Sequence, residues 1–325
     1  MKDRRGYLLI WLAQGRVVPG RERDALQASG VYPSTWGWSV FVDYLLLGLG
    51  LVLLLSGVVS FFAANWSEIG RLGRFLLVDA LLLAALGLVW WRGVDAPAGH
   101  AGLFAAAVFV GVLLALTGQT YQTGADVHEL FAAWAVLITP WAILGRSAPL
   151  WVLWIGLANL AAYLYYDSFH GFLGLPLGDR EALWLSIGFN TLILLAWELA
   201  AARGADWLQG RWVPRILATA AGVPVTFLAL DAVFDANPAD GWLDIALWLV
   251  WMGVGFAVYR HRRLDVYMLA GGLLAVVLMA AAGLTRLLHD RGFDVPALLL
   301  IALVVVGLSS IGGRWLIRLA NRRAG

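Results

Sequence analysis

The chain has no cysteine among its 325 residues, which excludes disulfides, thiolate metal sites and cysteine nucleophiles. Charge is almost as scarce. Only 14% of residues are Asp, Glu, Lys or Arg, against 61% hydrophobic, and the mean hydropathy is +0.79. A soluble domain carries about 25% charged residues, so that class is excluded. Loops are short as well, the longest spanning 167–181 and 203–215, which leaves no room for a separate soluble enzyme. The net charge of +2 is not gathered into a compact basic patch, so nucleic acid is not an expected partner. No catalytic residue set, cofactor motif or metal motif stands out, and the sequence implies no cofactor.

What is present is a series of apolar stretches. Crossing a hydrocarbon core of ~30 Å takes roughly 17–25 apolar residues in a helix. Ten stretches qualify, near 39–63, 75–91, 101–118, 130–145, 149–166, 182–202, 216–234, 242–259, 266–285 and 295–313. Basic residues then sort by side. With the N-terminus inside, only Arg71, Arg74, Arg180, Arg286 and Arg291 fall outside, and the other 18 of the 23 Lys and Arg residues fall inside. Short loops rich in Lys and Arg stay in the cytoplasm. The expectation is therefore an all-α, polytopic transmembrane helix bundle of about ten spans in the bacterial cytoplasmic (inner) membrane, with both termini cytoplasmic. The weakest span is 130–145, which is short and carries Pro140; the alternative is a re-entrant hairpin with 149–166. Tryptophans at predicted ends, including Trp36, Trp38, Trp90, Trp91, Trp197, Trp242 and Trp315, read as interfacial anchors.

Three regions follow: a cytoplasmic helical module at 1–36, the first five spans at 37–166, and the last five spans with a basic cytoplasmic tail at 167–325. In the module, Leu8–Ala13 is the apolar part of one short helix. Pro19 opens a second, with Glu22 and Asp24 in its first turn, and Gly30 and Pro33 end it. About 36 residues cannot bury an independent core, so the module is read as a docked cap. The basic start and the short apolar run Tyr7–Leu12 lack a small-residue cleavage site, which argues against a signal peptide. Ala107, Gly111 and Ala115 form a stripe of small residues in the third span that leads at the same spacing to Gln119. Such stripes mark close helix packing, and the reading aims Gln119 into a helix seam. Gly48, Gly50 and Gly57 in the first span, and Gly253 and Gly255 in the eighth, suggest further close contacts. Pro224 is expected to kink the seventh span.

Two segments at predicted outer ends stand out: Ala63-Ala64-Asn65-Trp66, and Gly118-Gln119-Thr120-Tyr121-Gln122-Thr123-Gly124-Ala125-Asp126 with Trp134 in the next helix. With an N-terminal Trp11 and Gly15, these resemble a bacterial family of predicted multi-pass membrane proteins, domain of unknown function 2157, over roughly residues 5–165. Ala125, inserted between Gly124 and Asp126, departs from the family pattern and bears on how that acid is presented. The resemblance implies membership without an activity, and it does not extend to the C-terminal half.

The outer segments supply the candidate site. Asn65, Trp66, Gln119, Tyr121, Gln122, Asp126, His128, Glu129 and Trp134 would form a polar vestibule near the outer interface, because buried amides must find partners. The competing structural reading is that these amides cap helix ends, with Asp126 as N-cap of the fourth span and Glu129 three residues on. Asp126, His128, Glu129 and His170 are metal-ligand types, but His128 does not share a helical face with the two acids, so no metal is assigned. Asp43, Asp79, Glu198, Asp231, Asp244 and Asp265 all sit towards span ends rather than at mid-membrane, which argues against a proton relay. The expectation is an integral membrane protein that binds a lipid headgroup, a small molecule or a membrane partner at the outer cluster. The alternatives are a secondary transporter, which would need broken helices around Asn190 and Pro224, and a membrane enzyme acting on a lipid-linked substrate with Asp126 or Glu129 as base.

Overall fold

The computed structural model describes residues 35–64, 68–122, 124–172, 175–235, 238–289 and 294–324, with isolated positions between 11 and 27. Among them are ten helices long and apolar enough to cross a membrane. In chain order they are α1 (Thr35–Ala64), α2 (Arg71–Arg92), α3 (Pro97–Tyr121), α4 (Val127–Gly145), α5 (Ala148–Phe169), α6 (Asp179–Ala202), α7 (Trp212–Phe234), α8 (Pro238–Ala257), α9 (Val266–His289) and α10 (Val295–Ala324). Each of the ten apolar stretches lies on one of them, the eighth continuing from α8 into a π-helical turn at Val258–Arg262. The fourth is a full helix. It runs unbroken through Pro140, and Thr139 Oγ1, which donates to the Ala135 carbonyl, also accepts the Trp154 indole N–H at 2.9 Å. The re-entrant alternative is thereby set aside. The last helix is longer than its apolar part, because Arg314–Ala324 is rich in helix formers and continues the same winding. The predicted module at 1–36 falls mostly outside the described residues.

The chain divides into two compact units, one built mainly from Pro33–Gly178 and the other mainly from Asp179–Arg203 and Arg211–Gly325. In the first, α3 is the central element and packs on α1, α2, α4 and α5. Its sequence explains this: Gly102, Ala105, Ala106, Ala107 and Gly111 are all buried, and small side chains let neighbouring backbones approach. The chain turns from α2 to α3 at Gly93, whose φ of 83° suits glycine. After α5, Gly171–Phe172 and Leu175–Pro176 pair as two-residue antiparallel strands, β1 and β2.

In the second unit α7 is central and packs on α6, α8 and α9, while α10 packs on α9. Ala221, Val225 and Ala229 on α7 are fully buried. The helix runs unbroken through Pro224. Next to it, Thr226 Oγ1 donates to the Gly222 carbonyl at 2.7 Å and accepts the Trp248 indole N–H at 3.2 Å. The glycines expected to mark close contacts differ in kind. A methyl group at Gly48, Gly50, Gly57, Gly253 or Gly255 would meet nothing within 4 Å, so these are not contact points. These glycines border open space rather than a neighbouring helix, and spacing alone does not separate the two cases.

Candidate functional site

The second unit carries a network of ion pairs at one helix end, with a large void nearby. At that end α6 finishes, α7 begins, α8 passes through the π-helical turn, and α9 starts. Arg211 on the approach to α7 bonds Glu198 Oε1 through Nη1 at 2.7 Å and Asp265 Oδ2 through Nε at 3.0 Å. Arg215, one turn on, pairs with Asp265 Oδ1 at 3.2 Å, and Arg263 Nη1 pairs with Glu198 Oε2 at 2.8 Å. The wider π turn closes with the Arg263 N–H donating to the Val258 carbonyl at 3.0 Å, and within it the Tyr259 hydroxyl donates to Glu198 Oε1 at 3.3 Å. Such turns recur at functional positions in helices.

The electrostatics follow from this pairing. Burial alone would raise the Asp265 carboxyl, but its hydrogen bonds and charge contacts with Arg215 and Arg211 outweigh it and hold the group below the usual carboxylate range. Burial likewise works against the Arg211 cation, and Glu198 and Asp265 reverse the balance, so its pKa is raised. A buried pair of this kind costs desolvation that Coulomb attraction offsets only when hydrogen bonds are good. Here both carboxylates receive at least two.

Behind this network α7, α8, α9 and α10 enclose a cavity of about 1300 Å³. Among the described residues no Asp or Glu lines it. Its wall is apolar except near the Arg260 end, where Arg260, Tyr259, Tyr267 and Thr219 contribute polar atoms, and deeper at Thr226. Gly222, Gly253, Gly255, Gly271 and Gly272 also line it, so the void exists where side chains are missing. Phe227, Leu249, Leu274 and Ile311 are exposed lining residues, which opens the cavity on the flank of these helices. The Arg260 guanidinium lies over the Trp315 ring, 5.1 Å from its centroid. Its Nη1 is buried and has no hydrogen-bond acceptor.

At the opposite end of this unit, Asp244 is 2% exposed. Its Oδ1 accepts the Trp184 indole N–H at 2.9 Å, and its Oδ2 faces Arg180 Nε at 2.6 Å in an ion pair.

Those of the residues singled out in the sequence that the structure describes lie in the first unit. Asn65, Trp66 and Thr123 lie outside the described residues. Trp134 is a packing residue: its indole rests on Gly111 and donates to the Ala107 carbonyl at 2.7 Å. The small-residue stripe therefore receives α4 rather than aiming Gln119 into a seam, and Gln119 is exposed. His128 is buried edge-on against Tyr165 and Phe169, with ring centroids 5.1 and 5.4 Å away. Tyr121 is exposed with the Arg71 guanidinium 5.6 Å from its ring centroid. Gln122 ends α3 in the left-handed region at φ 46° and is exposed. Asp126 does stand at the N-cap of α4, but its side chain makes no cap bond, and Glu129 is exposed. Among the described residues no three His, Asp or Glu side chains gather as metal ligands.

Sequence reasoning passed over Glu198, Asp265, Arg211, Arg215, Arg260 and Arg263 as a group. The signal was available. These arginines fall on the predicted inner side and both acids fall towards span ends, and oppositely charged groups at one depth pair when helices bring them together.

Comparison with known proteins covers the N-terminal part of the chain. Residues 10–151 match the family model described as Predicted membrane protein (DUF2157). That match bears out the resemblance drawn from the Gly-Gln-x-Tyr-Gln segment and its neighbours, and it stops before the helices that form the cavity. No curated protein and no solved structure matches the chain. The protein is a polytopic helical membrane protein.

Proposed function

We propose that the protein holds a membrane lipid in the cavity between α7, α8, α9 and α10, and that it sits in the bacterial inner membrane with both termini in the cytoplasm. The observation that carries the reading is the cavity itself. It is apolar along its depth, open on its flank and polar near a helix end. Cavities for compact ligands run to about 300–1,000 Å³, and a void of about 1300 Å³ suits an elongated amphiphile better. The cavity is favoured over the end where α3 meets α4, because Trp134 and His128 there are taken up in packing. A transporter of the broken-helix kind is less well supported, since α6 runs unbroken past Asn190 and α7 past Pro224.

Gly272 provides the test. It lines the cavity, and a Cβ there would touch only Met252 Sδ at 3.9 Å. Gly272→Phe should therefore fill space without forcing a rearrangement. Native mass spectrometry of detergent-purified protein should show bound lipid on the wild type and clearly less on folded Gly272→Phe. Equal retention would remove the cavity as the binding place. Orientation rests on the excess of basic residues on one side, and the chain's lack of cysteine makes it easy to check. Ala205→Cys should resist an impermeant thiol reagent applied to intact cells and react once the membrane is opened; labelling from outside would invert the topology.

A further inference from the structure

We propose that Arg260 recognises the headgroup of the cavity's occupant, and that the occupant is an anionic phospholipid from the leaflet on the Arg260 side. The proposal rests on the lipid-cavity reading above and names the lipid class. Its starting point is an imbalance among the arginines at this end. Arg211, Arg215 and Arg263 share two carboxylates, Glu198 and Asp265. Arg260 has neither, and its one charge-related contact is the face of Trp315. A buried guanidinium nitrogen without an acceptor is costly, and Arg260 Nη1 is such an atom. A phosphate would supply the acceptor, because its oxygens match the fork of a guanidinium.

Three further features narrow the ligand. The α7 lining runs from Ala218 to Leu230, which at 1.5 Å per residue is about 18 Å. That is little more than half of a ~30 Å hydrocarbon core, the depth of chains from a single leaflet. Arg260 lies in the last turn of the span Gly241–Arg262, at the level where headgroups sit. Charge supplies the third feature. Three arginines over two carboxylates leave a positive excess at the helix end that also carries Arg260, and among the described residues no carboxylate lines the cavity to receive an ammonium group. A headgroup carrying its own amine gains nothing here. One with net negative charge does.

The test measures lipid binding to the full chain in detergent by native mass spectrometry, using phosphatidylglycerol and phosphatidylethanolamine with identical acyl chains. The wild type should bind phosphatidylglycerol more tightly. Arg260→Gln should weaken phosphatidylglycerol by at least about tenfold, the usual scale for losing a charge-assisted contact, and leave phosphatidylethanolamine nearly unchanged. Arg260→Lys should recover part of the loss, since it keeps the charge without the fork. Gly272→Phe should weaken both lipids. If Gly272→Phe weakens both but Arg260→Gln changes neither, the cavity holds lipid and the headgroup assignment is overturned. If Gly272→Phe changes neither, the cavity reading falls and this proposal with it. Inorganic phosphate and glycerol phosphate are the control for a soluble anion. Arg260-dependent binding of inorganic phosphate that phosphatidylglycerol fails to displace would overturn the lipid assignment. A delipidated wild type that dimerises, with Gly272→Phe monomeric and lipid without effect, would show instead that a second copy covers the groove. A thermal melt of each variant confirms that it is folded.

Discussion

Gly111 and Trp134 make one contact that ties α4 to α3. A methyl at Gly111 would overlap the indole, and the indole N–H satisfies the Ala107 carbonyl at 2.7 Å. Trp134→Phe removes that hydrogen bond and part of the ring, and should cost about 1–2 kcal/mol, seen as a lower midpoint of thermal unfolding in detergent. Gly111→Ala should cost more, because the backbone has no way to yield while the ring is seated. Variants as stable as the wild type would show that the contact contributes nothing. At this scale the sequence was half legible. The stripe of Ala107 and Gly111 announced a packing face, but which side chain fills a notch depends on the neighbouring helix's rotation. Gln119 shares the stripe's spacing yet ends exposed, because the stripe's fit to α4 is made at Gly111, two turns earlier.

Among the elements, the junction of α6, α7, α8 and α9 is held by a network of charged side chains. Asp265 is the joint acceptor for Arg211 and Arg215, and Asp265→Asn would leave those guanidiniums with one carboxylate fewer. Breaking a buried pair costs roughly 3 kcal/mol or more. The pH dependence has a definite sign. Asp265 is held below its ordinary value in the folded protein, so its stabilising contribution is complete above the unfolded value of about 3.9 and is lost as pH falls through the folded value. The wild-type melting temperature should therefore fall more steeply below about pH 4 than that of Asp265→Asn, and the two curves should converge there. Parallel curves down to pH 2.5 would mean that Asp265 carries no such linkage. Each charge in this network could be read from the sequence. Their union could not, since Glu198 and Arg263 are far apart in the chain and meet only once α6 and the π turn are placed.

For the whole molecule, hydropathy alone located the ten helices that, among the described residues, are long and apolar enough to span a membrane, because the bilayer demands length and apolarity from each one separately. The cavity left no comparable trace. Gly253 and Gly255 looked like packing glycines, and a void arises from the spacing of four helices rather than from any local pattern. The central claim is that an anionic lipid occupies this void. The most direct measurement is cross-linking in nanodiscs with an anionic phospholipid that carries a photoreactive group on one acyl chain, followed by mapping of the labelled peptides. The account predicts that label concentrates on 218–230 of α7 and 267–278 of α9, is displaced by excess unlabelled anionic lipid, and is lost in Gly272→Phe. Label spread evenly over lipid-exposed helices such as α1, unaffected by competitor or by Gly272→Phe, would contradict it.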